Sequence, residues 1–125
     1  MHMIWQKRID SFRYAFKGLA DLFRHEPNAR VHAVAGVCAL SAGFYFQISR
    51  PEWTIIVLSI AIVLSLEAAN TALERLTDLV SPEHHPLAGR AKDVAAAAVL
   101  IAATGAAIVG AIIFLPKIAC VWSAK

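Results

Sequence analysis

The stretch Leu64 to Val80, LSLEAANTALERLTDLV, places Glu67, Asn70, Glu74 and Asp78 at successive spacings of three, four and four. At about 100° per residue these spacings stack all four side chains on one face of an α-helix, in a ladder roughly 16 Å long. Carboxylates arranged this way can hold a divalent cation through hard oxygen ligands, take a proton from an alcohol, or relay protons. The segment just before them, WTIIVLSIAIV, is apolar enough to enter a bilayer. Carboxylates at membrane depth are costly unless paired, protonated or coordinated, so by default they are functional. Glu74 and Asp78, next to Arg75, would also suit the headgroup zone. Glu67 lies a turn or two deeper, beyond easy reach of water for a short acidic side chain.

Such a face needs partners. Arg90, Lys92 and Asp93 return to the same level if the helix that follows packs antiparallel; Lys92 could then neutralise phosphate oxygens while Glu74 holds Mg²⁺ between them. Arg90 and Lys92 read equally well as cytoplasmic anchors. Glu26, in RHEPNARVH, is a further carboxylate at interface depth and could face Glu74 across the fold. His32, His84 and His85 form no His-x-x-x-His pattern, so polar or loop roles fit them better than metal ligation. A phosphate-binding G-x-x-x-x-G-K-[ST] loop does not occur.

The elements that must position these residues follow from composition. Of 125 residues 58% are hydrophobic and only 17% charged, with a mean hydropathy of +0.59. Soluble domains run nearer half apolar and about a quarter charged, so this is a membrane protein of one domain, residues 1–125. Ile4, Trp5, Ile9, Phe12, Phe16, Leu19, Leu22 and Phe23 alternate with Lys7, Arg8, Arg13, Lys17 and Asp21, predicting an amphipathic helix over about 4–25 that lies in the membrane interface. Three spans are expected at about 29–48, 52–80 and 90–115. Ser49, Arg50 and Pro51 are expected to break the first, and the Pro- and Gly-containing segment Ser81 to Arg90 to be a loop or broken helix.

Basic residues flank the first span at Lys7, Arg8, Arg13, Lys17, Arg24 and Arg30, and the second loop at Arg75, Arg90 and Lys92; the intervening turn has only Arg50. This bias places the N-terminus and the carboxylate ladder on the cytoplasmic side, and the tail with Lys117 and Lys125 outside. The net charge of +3, without basic runs interleaved with aromatics, excludes a nucleic-acid binder. The charged N-terminus is no cleavable signal peptide, and Cys38 and Cys120 read as free thiols.

At this point the chain resembles the small bacterial integral-membrane lipid kinases, comprising diacylglycerol kinase and undecaprenol kinase. The resemblance runs from YAFKGL through EPNARVH and EAANTALERLTD to HPLAGRAKDVAAAAVLIAA. It implies an all-α fold, with an N-terminal surface helix and three transmembrane helices forming a homotrimeric bundle in the cytoplasmic membrane, with sites between subunits. It further implies Glu67 as the catalytic base toward a lipid hydroxyl, Glu26 and Glu74 as ligands placing Mg²⁺ against ATP, and Asn70 as a support of the polar face. Lys92 and Asp93 resemble the nucleotide-contacting pair; Tyr14 and the Glu83, His84, His85 loop match other nucleotide contacts, as does Lys7, which stands with Arg8 where the family has an arginine. EPNARVH, HPLA and the SRPEW turn look more like the undecaprenol branch, whereas GRAKD suits the diacylglycerol branch equally. An oligomeric proton or ion channel is the competing class, but the dry outer half of the second span, WTIIVLSIAIVL, speaks against a conduction path.

Overall fold

The computed structural model describes residues 1–124 as helices α1 (His2–His25), α2 (Pro27–Phe46), α3 (Arg50–Val80) and α4 (Pro86–Ser123). Lys125 lies outside the described residues. Pro27 decides where α1 stops. The residue before a proline is pushed out of the helical region, and Glu26 is extended at φ −104°, ψ 107°, serving as C-cap of α1 and N-cap of α2 at once. The surface helix therefore turns into the first span at a single residue, and that residue is a carboxylate.

The other junctions differ in detail from the sequence expectation. Gln47 adopts the left-handed conformation at φ 49° and ends α2 at Phe46, before Ser49 is reached. Ser49 and Pro51 instead begin α3: the Ser49 hydroxyl accepts from the Glu52 backbone N–H while the Glu52 carboxylate accepts from the Ser49 N–H, and the proline sits in the first turn where its missing N–H is not needed. Likewise only Ser81 to His85 is non-helical in the second connection; Pro86 opens α4, and Gly89 and Arg90 are already helical. At its far end α4 continues through Pro116 to Ser123, beyond the expected limit of the span.

Helices α2, α3 and α4 are each long and apolar enough to cross a membrane, with mean hydropathies of 1.3, 2.0 and 2.6 over their best windows. Most of their large apolar side chains point outward, among them Val34, Phe44, Ile62, Leu100 and Ile112. In water that arrangement would be unstable; against lipid tails or a neighbouring subunit it is the expected one. The chain is a three-span helical membrane protein with a surface helix. Its apolar core lies at one end, where Ile48, Ile56 and Ile113 are buried against Trp53, Phe46 and Phe114. Close approach of α2 and α3 depends on glycine. A Cβ on Gly43 would stand 2.6 Å from the Trp53 ring, and one on Gly36 would stand 3.3 Å from Ile60.

Packing is most extensive between α3 and α4. At 31 residues α3 is about 46 Å long, well beyond a hydrocarbon core of about 30 Å. Counting about 20 residues inward from Trp53 ends the hydrocarbon-spanning part near Leu73. Glu67 falls inside that limit, whereas Glu74 to Val80 overhang it. Lys117 does not lie in a free tail. It is on α4 and pairs with Glu52 at 2.9 Å, tying the two helices at the end remote from the ladder.

Candidate active site

The polar face of α3 meets a different partner at each level. Deepest is Glu67, 3% exposed, and besides Thr71 it is the only polar residue buried among the described residues. His32 of α2 faces it, with Nε2 3.7 Å from Glu67 Oε2. One turn on, Asn70 Nδ2 donates to Glu74 Oε1 at 3.3 Å, which orients that carboxylate; Asn70 Oδ1 is buried with no hydrogen-bond partner. Next comes Arg75, which donates to Asp21 of α1 and, at 3.4 Å, to Glu26 Oε1 at the α1–α2 corner. At the end of the ladder Asp78 pairs with Lys92 of α4 at 2.6 Å, so α4 does return to the level of the α3 carboxylates.

Of the residues singled out in the sequence, Glu67, Asn70, Glu74, Asp78, Glu26 and Lys92 thus share one end of the bundle. Others stand apart. Lys7 and Tyr14 lie on the exposed length of α1, where Lys17 rests 5.8 Å over the Tyr14 ring. Glu83, His84, His85, Arg90 and Asp93 are exposed on or just after the loop, and the His85 ring caps α4 by accepting from the Leu87 N–H at 3.2 Å. Among the described residues, no group of three or more His, Cys, Asp or Glu side chains could hold a metal ion. Glu26 and Glu74 still suit Mg²⁺. That ion commonly takes only one or two protein carboxylates beside substrate phosphates, both are hard oxygen donors, and the unpartnered Asn70 oxygen lies next to Glu74.

Two site residues had no readable signal. Asp21 looks like one more charge on the polar face of α1, and His32 like a polar residue at a helix start; only the helix contacts bring them to Arg75 and Glu67. The first of these contacts is acid-sensitive. The hydrogen bond from Arg75 holds the Asp21 carboxyl below its ordinary range, against partial desolvation, with charge from Arg75 and His25 assisting. A depressed folded-state value means that docking of α1 on α3 is fully supported above the ordinary carboxylate value and weakens as pH falls through the lowered one. Hydrogen-exchange protection of α1 amides, normalised to the unfolded rate, should fall on acidification. Asp21→Asn should remove that dependence, and an unchanged acid profile in the variant would rule out the Asp21 contact as its origin.

Fold and site define a polytopic helical membrane protein with a buried carboxylate at the deep end of a polar ladder open to one membrane face. More specifically, the chain belongs to the prokaryotic diacylglycerol kinase family, whose profile matches residues 13–114, and it is a lipid kinase. It is 45% identical over 108 residues to the undecaprenol kinase of Bacillus subtilis, covering 86% of this chain and 88% of that one. To the diacylglycerol kinase of Synechocystis it is 40% identical over 109 residues, 86% of this chain and 62% of the relative. The diacylglycerol kinase of Escherichia coli K12 is 34% identical over 89 residues, 71% and 73% of the two chains.

Proposed function

We propose that this protein transfers the γ-phosphoryl group of ATP to the hydroxyl of undecaprenol, giving undecaprenyl phosphate, with Mg²⁺ as the metal. It works as a homotrimer in the bacterial cytoplasmic membrane, with its N-terminus and sites on the cytoplasmic side. The observation that carries the reading is the burial of Glu67 within the hydrocarbon-spanning part of α3, at the head of a ladder of charges leading out to water. A lipid hydroxyl and a nucleotide can meet only where those two environments join. The identity to a Bacillus undecaprenol kinase and the EPNARVH segment favour the prenol over diacylglycerol.

In this reading Glu67 takes the hydroxyl proton as the oxygen attacks phosphorus. Glu26 and Glu74 would hold Mg²⁺, which when bound neutralises phosphate oxygens and orients them. Asn70 keeps the Glu74 carboxylate turned toward that position. Lys92, held by Asp78, supplies positive charge beside the transferring group, and Asp93 stands next to it. Lys7, Tyr14, Glu83, His84 and His85 complete the nucleotide contacts. Arg90 and Asp78 frame the ladder at its water end. A channel is disfavoured because the buried positions of α3 outward of Glu67 are Val63 and Ile56, which offer no polar path.

The test is a side-by-side assay of labelled phosphate transfer to undecaprenol and to diacylglycerol at matched surface concentration. Faster turnover of undecaprenol is expected. The opposite order would replace it with diacylglycerol as substrate, and transfer to neither would remove the kinase reading of this site.

A further inference from the structure

His32 does two things at once. Its ring stands opposite Glu67, and it also lines the inner end of an apolar groove of about 450 Å³ between α2, α3 and α4, within the size range of small-ligand sites. The 3.7 Å between His32 Nε2 and Glu67 Oε2 is too long for a direct hydrogen bond. It leaves room for one oxygen about 2.8 Å from each, the position required of a reacting hydroxyl. From His32 the groove runs along α2 to Phe46, about 21 Å of helix, and its walls are mostly small: Gly36, Ala39, Ala107 and Gly110. The one hydroxyl in it, on Ser59, already donates to the Ile55 carbonyl at 2.8 Å. The groove therefore demands nothing polar of an occupant, except at the His32 end.

We propose that His32 and Glu67 jointly hold the substrate hydroxyl, and that the groove headed by His32 takes the linear hydrocarbon tail of the same lipid. The proposal rests on Glu67 being the base. A linear chain fits because the groove is long, narrow and dry and is lined at its inner end by His32, which faces Glu67. His32 donates from Nε2 to the hydroxyl oxygen, which fixes its lone pair toward the nucleotide and leaves its own proton directed at Glu67 Oε2. In the step that follows, the O–H bond breaks with its proton passing to Glu67. The O–P bond to the γ-phosphorus forms, and the bond from that phosphorus to the β–γ bridging oxygen breaks, releasing ADP. His32 neither gains nor loses a proton.

The test uses the full chain in lipid or detergent. His32→Ala should raise the KM for the lipid alcohol about tenfold, the loss expected for one hydrogen bond at a buried site, and lower kcat, with the KM for ATP unchanged. His32→Gln keeps an N–H donor and should recover part of both. Ala107→Leu, which fills the groove from α4, should raise KM for a long-chain prenol more than for a short one presented in the same micelles. A diazirine placed along the tail of a prenol should crosslink wild-type protein at Ala39 or Ala107, a readout that does not depend on any variant folding. Wild-type lipid KM and kcat in His32→Ala would overturn the hydroxyl contact. Ala107→Leu that alters oligomeric state while leaving the lipid KM alone would show that a second copy fills the groove, and would overturn the tail site. Either failure in a protein that phosphorylates lipid alcohols is separate from failure of the kinase assignment, which would show as no transfer by the wild type.

Discussion

Glu67→Gln is expected to lower kcat by about 10² to 10⁴, the range that general-base catalysis contributes, while the protein keeps its helices and oligomeric state. The substitution is close to isosteric, so the packing around position 67 survives. An amide costs less to bury than a carboxylate, so the thermal midpoint in detergent should stay the same or rise. What is lost, on the proposed role, is the acceptor for the hydroxyl proton. Affinity for ATP should hardly change, because Glu67 lies several residues deeper than Glu74 and the Asp78–Lys92 pair. The measurement is single-turnover phosphate transfer alongside circular dichroism and crosslinking. Full activity in a folded variant would remove Glu67 from the base role; a collapse of the oligomer would make it structural instead.

The second large effect concerns Lys92. Lys92→Met should reduce kcat/KM for ATP by about 10² to 10³, the loss typical of removing one preorganised charge from a transition state. The structure supplies the rival explanation, since Lys92 also pairs with Asp78 at 2.6 Å and ties α4 to α3. Asp78→Asn separates the two. If Lys92 matters only as half of an ion pair, the variants should lose equal activity and equal stability. If it stabilises the phosphoryl group, Asp78→Asn should be much the milder. Arg90→Met is the control for simple loss of a basic anchor, because Arg90 is exposed and has no ion-pair partner among the described residues. Steady-state ATP kinetics of the three variants, with unfolding midpoints, decide the matter.

Much of this protein could be read before its structure was known. Helix count and spans followed from apolar length, since a backbone in hydrocarbon must satisfy its hydrogen bonds locally and has few alternatives to a helix. The carboxylate ladder followed from spacing, because helical geometry fixes which residues share a face regardless of what packs against it. Junctions were less legible. Proline marks a helix start as readily as a stop, and at Pro51 and Pro86 the starting role prevailed because a residue in the first turn does not need its N–H. At Gln47 a non-glycine residue took the left-handed conformation, a choice no local propensity announces.

By itself, the sequence determined what lies along each helix: three membrane spans, a surface helix, one polar face beginning at Glu67, and a corner at Glu26 imposed by Pro27. Those are properties of local geometry and of the bilayer as solvent. Only the tertiary structure decided what lies across from them: His32 opposite Glu67, Asp21 and Glu26 on Arg75, Lys92 on Asp78 and Lys117 on Glu52. Such pairs join residues distant along the chain, and their meeting depends on helix register and close approach, which between α2 and α3 involves Gly36 and Gly43 beneath Ile60 and Trp53. Spacing along a helix says nothing about register between helices, so the ladder was visible from the chain and its partners were not.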